Sequence, residues 1–128
     1  MTDSAVKELL SVPEIVSLPH FDILHYLLSE SDGKHVAHCL DLDLVAVGSS
    51  QKAAADKLDT LVKAHIELSL ATGQLANLQT RAPQSYWNQF LDGRRIELEP
   101  TKILIQIPES IQVVPLRESE LRILAHAA

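Results

Sequence analysis

The sequence is poor in cysteine and in positive charge, and it has no long apolar run. Its 128 residues include one cysteine, Cys39, so no internal disulfide can form, which suits a reducing compartment. Eleven basic residues stand against 17 acidic ones, giving a net charge of −6. This balance argues against a broad nucleic-acid surface, because phosphate neutralisation needs clustered Lys and Arg. The acidity suits a basic partner better.

Targeting signals are also lacking. No apolar run approaches the roughly 20 residues that a membrane helix needs. The first ten residues contain no basic region followed by a long apolar one, as a signal peptide would. We therefore expect a cytoplasmic protein without a membrane partner. The length suits one domain, which we divide into an N-terminal arm (1–20), a core (21–73) and a C-terminal extension (74–128) that completes the sheet or mediates oligomerisation.

The core begins with a predicted hairpin. Residues 21–29 form an apolar run that is compatible with a strand or a helix. The pair Asp32-Gly33 decides for a strand, because glycine takes the positive φ that a tight hairpin turn requires. We predict an antiparallel partner at 35–39 and a third strand at 45–47.

One long amphipathic helix follows. Gly48 ends the third strand, Ser49 and Ser50 cap the helix, and Gly73 stops it. The residues predicted to face inward are Ala54, Leu58, Leu61, Val62, His65 and Leu68. The opposite side is charged, and Asp59 and Lys63 have the spacing of a surface ion pair.

The C-terminal extension has weaker patterns. We predict a short helix at 84–91, strands at 94–99, 102–107 and 111–114, and a final helix at 116–125 with Leu121 and Leu124 inward. The predicted fold is therefore α+β, with a mainly antiparallel sheet of three or four strands, one long helix on a face, and a C-terminal β/α extension.

Several side chains between residues 35 and 43 are possible metal ligands: His35, His38, Cys39, Asp41 and Asp43. On a strand, however, His35 and Cys39 share one face and His38 lies on the other. A tetrahedral site needs its ligands on one face and usually from two segments. We therefore expect no metal, no cofactor and no catalytic residue here, and a solvated strand and loop instead.

An enzymatic alternative remains open. Asp41 and Asp43, together with Asp22 on the first strand, would be the carboxylates of a divalent-metal nuclease or hydrolase. Single residues give weaker indications of a catalytic role. Cys39 is expected to be a packed residue, and His65 a hydrogen-bonded core or interface residue.

The run from Cys39 to Leu58 carries a family resemblance. Its motif residues are Cys39, Asp41, Leu42, Gly48, Ser49, Ser50, Ala54 and Leu58. Preceded by strand-turn-strand and followed by an amphipathic helix, this segment resembles the HicB antitoxin family and its partial RNase H-like domain, over about residues 21–73. Where the family usually has Asp-Thr after the glycine, this chain has Ser49-Ser50.

The resemblance implies a non-enzymatic antitoxin that binds a small basic HicA-like ribonuclease toxin and covers its active site. We expect Asp41, Asp43 and His38 to contact that partner. The turn and cap residues, which are Asp32, Gly33, Gly48, Ser49 and Ser50, are expected to be structural. An orphan homo-oligomer with a structural or regulatory role is the other alternative.

Many such antitoxins also carry a DNA-binding module. Residues 102–110 resemble the opening strand and Pro-Glu-Ser turn of a ribbon-helix-helix, but Pro115 interrupts the helix that should follow. We therefore predict no DNA binding, and a C-terminal extension that serves self-association.

Overall fold

The computed structural model describes residues 23–99, 102–106 and 118–128. In chain order the elements are β1 (Ile23–Ser31), β2 (Lys34–Cys39), β3 (Leu44–Gly48), α1 (Gln51–Ala71), a 3-10 helix (Leu75–Leu78), α2 (Gln84–Asp92), β4 (Arg94–Ile96), β5 (Lys102–Gln106) and β6 (Glu118–Ala127). The predicted N-terminal arm, Asp22 and the predicted strand at 111–114 lie outside the described residues.

The strands form one mixed sheet. Its order is β3-β2-β1-β6-β4, and β5 pairs with β6 beside β4. The pairing of β1 with β6 is parallel, and the other pairings are antiparallel. The prediction of an α+β fold with one long helix is confirmed. The predicted sheet of three or four mainly antiparallel strands was too small, because the C-terminal segment contributes three strands, one of them parallel to β1.

The predicted C-terminal helix at 116–125 was wrong, since residues 118–127 form β6 and the two residues before them lie outside the described part of the chain. Leu121 and Leu124 have helical spacing, but on the strand they point to opposite faces of the sheet. β6 lies between β1 on one side and β4 and β5 on the other. A strand in such a position is covered on both faces and lacks a clean polar-apolar alternation. The spacing of its apolar residues therefore suggested a helix.

The β1–β2 hairpin is confirmed. Ser31 pairs with Lys34, and the two residues between them, Asp32 and Gly33, have φ values of 53° and 76°. Positive φ at both central positions is what a type I′ turn requires, and this turn matches the twist of the two strands.

Both predicted ends of α1 are confirmed. The Ser50 Oγ accepts a hydrogen bond from the backbone N–H of Ala53 at 3.0 Å, which satisfies one orphan donor of the first turn. The helix ends at Ala71, and Gly73 follows with φ 72°. Glycine enters this left-handed region without steric cost.

α1 packs on one face of the sheet, which we call the α1 face. Its buried residues are Ala54, Ala55, Leu58, Val62, Ile66, Ser69 and Leu70, and they meet Leu24, Tyr26, Leu28, Ala37 and Cys39 from the sheet. Two predicted inward residues were wrong: Leu61 is 39% exposed and Leu68 is 65% exposed. Apolar residues occupy two sides of this helix, and only one of them meets the sheet.

The charged side of α1 holds the outer strand β5. The Lys63 Nζ donates to the Leu104 carbonyl at 2.7 Å, and the Glu67 carboxylate accepts from the Gln106 N–H at 2.8 Å. Burial raises the pKa of Glu67, but the hydrogen bonds from Lys63 and Gln106 outweigh it and lower the pKa overall. Lys63 is thus paired with Glu67, at 2.7 Å, and the predicted partner Asp59 contacts Tyr26 instead.

The described part of the chain contains no helix with the length and apolar character needed to cross a membrane. Its longest helix, α1, carries charged residues in most of its turns.

Candidate partner-binding surface

The second face of the sheet, which we call the α2 face, carries three histidines. Leu27 of β1 lies between His38 of β2 and His126 of β6 in the strand register, and His25 lies two residues before it. Side chains two residues apart on a strand share a face. α2 covers this group, with Phe90 buried and stacked on the His126 ring at 3.9 Å between centroids.

His25 and Asp41 form the first of two histidine–aspartate pairs. One Asp41 oxygen accepts the backbone N–H of His25 at 2.6 Å, and the other lies 3.0 Å from the ring Nδ1. The ring contacts Trp87 and Phe90 with centroid distances of 5.2 and 5.4 Å. The Asp41 side chain is 17% exposed. Asp41 therefore ties the loop after β2 to β1, and little of its carboxylate faces outward.

His38 and Asp43 form the second pair. The His38 Nε2 lies 2.7 Å from an Asp43 oxygen, and the His38 ring meets the edge of Tyr86 at 4.8 Å. Asp43 has a positive φ of 54°, which aspartate tolerates better than most residues. Its side chain is 37% exposed, so it is the more accessible of the two carboxylates.

The remaining candidate ligands point elsewhere. Cys39 lies on the α1 face and is fully buried. Burial raises the pKa of its thiol, and the Asp41 charge adds to this, so the thiol stays protonated and is a poor nucleophile or ligand. His35 lies 3.3 Å from Glu30 on the same face. Across residues 23–99, 102–106 and 118–128, no three His, Cys, Asp or Glu side chains converge as metal ligands would.

Sequence reasoning missed an exposed apolar group beside Asp43. Val45 and Val47 of β3 are 48% and 42% exposed. They pair with His38 and Val36 in the β2–β3 register, which places them on the α2 face. Tyr86, 39% exposed, contacts the ring of His38. We call Val45, Val47 and Tyr86 the β3 patch.

The sequence carries a signal for the two valines but none for His25. The strand at 45–47 was predicted, and its alternation Val45-Ala46-Val47 already places the two valines on one face. His25 offered no such signal, because its partner Asp41 is 16 residues away in the chain.

β3 is the first strand in the sheet order. Edge strands present backbone groups and side chains that can pair with another chain. One such group is covered, because the Lys57 Nζ donates to the Val47 carbonyl at 3.1 Å. The β3 patch therefore lies on an accessible border of the sheet.

A cleft of about 280 Å³ lies near the other edge of the sheet, beside β4 and β6. Its lining includes Arg95, Glu97 and Arg122. None of the predicted site residues lines it. Two of its lining residues, Arg95 and Glu97, form a loose ion pair at 3.7 Å.

Comparisons of the chain with protein-family models, with curated proteins and with solved structures find no match. The chemistry of the chain's own residues is therefore the basis for assigning a function.

Proposed function

We propose that this chain is a HicB-like, non-enzymatic antitoxin-type protein that binds a small basic HicA-like ribonuclease toxin and occludes its active site. The order β1, β2, β3, α1 is the order that the resemblance implies, and it supports this proposal. The net charge of −6 supports a basic partner.

The β3 patch beside Asp43 is the observation on which the proposal rests. Large apolar side chains that cluster on a surface mark an interaction site more often than scattered ones do. Here Val45 and Val47 lie two and four residues after the exposed carboxylate of Asp43. Apolar burial would hold the complex, and the negative charge would orient a basic partner and speed its encounter.

The three partner-binding residues have different roles in this proposal. Asp43 faces the toxin. His38 is 7% exposed, so it fixes the Asp43 carboxylate and supports Tyr86. Asp41 positions the loop through His25, and it contributes to binding indirectly.

Co-expression and co-purification with the product of the neighbouring open reading frame, which the proposal expects to be small and basic, tests the proposal. The variant Val45→Lys/Val47→Lys should weaken the complex about a hundredfold, because it replaces apolar contacts with charges that repel a basic partner. Leu91→Lys is the matched control, since Leu91 is 72% exposed on α2 and lies outside the β3 patch. Equal binding by all three proteins would overturn the assignment of this surface, and failure to form any complex would overturn the proposed function.

The charge contribution has its own test. Asp43→Asn removes the charge and keeps a residue that tolerates positive φ. We expect a slower association rate, by about threefold to tenfold at low salt, with the difference shrinking as salt rises. Asp92→Asn, which changes an exposed carboxylate at the end of α2, should leave the association rate unchanged.

Calorimetry with Mg²⁺ or Mn²⁺ tests the enzymatic alternative. Metal binding at Asp41 and Asp43 would favour that alternative.

A further inference from the structure

The direction of the backbone groups along β3 follows from the hairpin that starts the sheet. A two-residue turn joins Ser31 to Lys34, so these two residues form a hydrogen-bonded pair of the ladder. Hydrogen-bonded and non-hydrogen-bonded pairs alternate along antiparallel strands. Lys34 and every second residue after it in β2 therefore bond to β1. The residues between them, which bond to β3, are His35, Ala37 and Cys39.

The two exposed valines of β3 direct their backbone groups outward. The β3 residues that pair with the inner set of β2 are Gly48, Ala46 and Leu44. The N–H and C=O of one strand residue point to the same side, and successive residues alternate. Val45 and Val47 therefore direct both groups away from β2. The Lys57 Nζ donates to the Val47 carbonyl at 3.1 Å, which agrees with this direction.

Three of these four outer groups have no partner among the described residues. β3 pairs with β2 on its inner side, and Lys57 bonds to the Val47 carbonyl. The Val45 N–H, the Val45 carbonyl and the Val47 N–H are left. The two valines lie about 7 Å apart along the strand, which is the repeat of a β-ladder. An extended backbone presents its own donors and acceptors at the same spacing and can therefore bond to all three groups.

We propose that the basic partner adds an extended segment to β3 as a further strand of the sheet, bonded to the outer groups of Val45 and Val47. This inference rests on the proposed function and adds to it the way in which the partner is held. Side chains that face each other across two strands share a face of the sheet. The partner segment should therefore have β-branched or aromatic residues at alternate positions, where they cover the β3 patch.

Charge favours a basic partner over a second copy of the chain at this edge. Two copies would each bring a net charge of −6 and would repel each other. The Asp43 carboxylate lies two residues before Val45 and is 37% exposed. His38 bonds to one of its oxygens, and no described residue bonds to the other. A Lys or Arg beside the partner's strand can bond to that second oxygen.

Amide hydrogen exchange is the first test, on the full chain alone and with the product of the neighbouring open reading frame. In the free chain the Val45 and Val47 amides should exchange quickly, and the Ala46 amide should be protected by its bond to β2. In the complex the two valine amides should slow at least about tenfold. Valine amides that stay fast in the complex would overturn the proposal. So would valine amides that are already protected in the free chain.

A proline substitution separates strand addition from contact with the β3 patch alone. Val47→Pro removes an outward N–H and leaves the β2–β3 ladder intact, as edge strands tolerate. Val47→Ala is the matched control, because it keeps the N–H and removes more of the apolar side chain. We expect Val47→Pro to weaken the complex about tenfold more than Val47→Ala does. Equal weakening would overturn strand addition and leave the proposed function in place, whereas a wild type that forms no complex would overturn both.

The free variants show whether Val47→Pro keeps the fold. Its circular dichroism spectrum and its urea midpoint should stay near those of the wild type. Ala46→Pro should lower the urea midpoint much further, because the Ala46 N–H bonds to β2. If Val47→Pro lowers the midpoint as much as Ala46→Pro does, the Val47 N–H points toward β2 and the proposal fails.

Discussion

The Tyr26 hydroxyl donates a hydrogen bond to the Asp59 carboxylate at 2.8 Å, across the contact between β1 and α1. Tyr26 is fully buried, and Asp59 is half-buried. Burial raises the pKa of Asp59 to about 6, although the Tyr26 hydrogen bond lowers it. Burial likewise raises the pKa of Tyr26, and Asp59 adds to this. The pair joins the helix to the sheet, and its carboxylate is costly to ionise.

Replacing Asp59 by Asn should stabilise the protein at neutral pH. The raised pKa means that Asp59 disfavours the folded state once it ionises, by roughly 2 kcal/mol, and that wild-type stability falls as the pH rises from about 4 to about 6. Asn keeps an oxygen for the Tyr26 hydroxyl and carries no charge. We expect a gain of about 1–2 kcal/mol at pH 7.5 that disappears near pH 4, measured by urea unfolding across this range.

Asp92→Asn is the control for this prediction, because it removes one exposed carboxylate far from Tyr26. Its unfolding free energy should change by less than about 0.5 kcal/mol at either pH. A gain for Asp59→Asn that is the same at pH 4 and pH 7.5 would contradict the assignment of the raised pKa.

Tyr26→Phe should have the opposite effect. It keeps the buried ring and removes the donor, so the Asp59 carboxylate loses its hydrogen bond and its pKa rises further. We expect a loss of about 1.5–3 kcal/mol at pH 7.5, since the acceptor is charged there. In the Asp59→Asn background the loss should fall to about 1 kcal/mol, and the double-mutant cycle measures the difference.

Asp41 should matter more for stability than Asp43. Asp41→Ala removes the acceptor of the His25 backbone N–H and the partner of its ring. We expect a loss of about 2–3 kcal/mol in chemical denaturation, because a partly buried backbone donor is left unpaired and the His25 ring loses its partner. Asp43→Asn keeps a residue that tolerates the positive φ at this position and weakens one bond of a more exposed carboxylate, so about 1 kcal/mol or less should be lost. Equal losses would mean that Asp41 does not anchor the loop.

The local parts of the fold could be predicted from the sequence. The β1–β2 turn follows from Asp32-Gly33, and both ends of α1 follow from Ser50 and Gly73. Each signal acts within a few residues of the structure it determines. The backbone conformation at those positions can therefore be predicted from the residue types nearby in the sequence.

The non-local parts could not be predicted in this way. The parallel pairing of Ile23 with Arg122 joins segments that are almost a hundred residues apart, and no local sequence pattern indicates this pairing. The same limit applies at the site. Asp43 and His38 are five residues apart and were both identified, whereas His25 reaches Asp41 only because β1 and β2 pair.

Gly48 should be intolerant of even a methyl group. A Cβ at this position would lie 2.5 Å from the Ala54 backbone N and 2.8 Å from the Ala53 carbonyl carbon. Backbone atoms in the first turn of a helix cannot rotate away, so Gly48→Ala must push α1 off β3. We expect a loss of about 2–3 kcal/mol in urea unfolding.

Gly73→Ala separates this clash from backbone strain. A Cβ there would meet nothing within 4 Å, but its φ of 72° disfavours alanine. That variant should lose only about 1 kcal/mol. Gly48→Ala should also weaken binding of the proposed toxin partner, because Gly48 ends the strand that carries Val45 and Val47, and Gly73→Ala should not. If Gly48→Ala loses no more stability than Gly73→Ala, the first turn of α1 is not closely packed against Gly48 of β3.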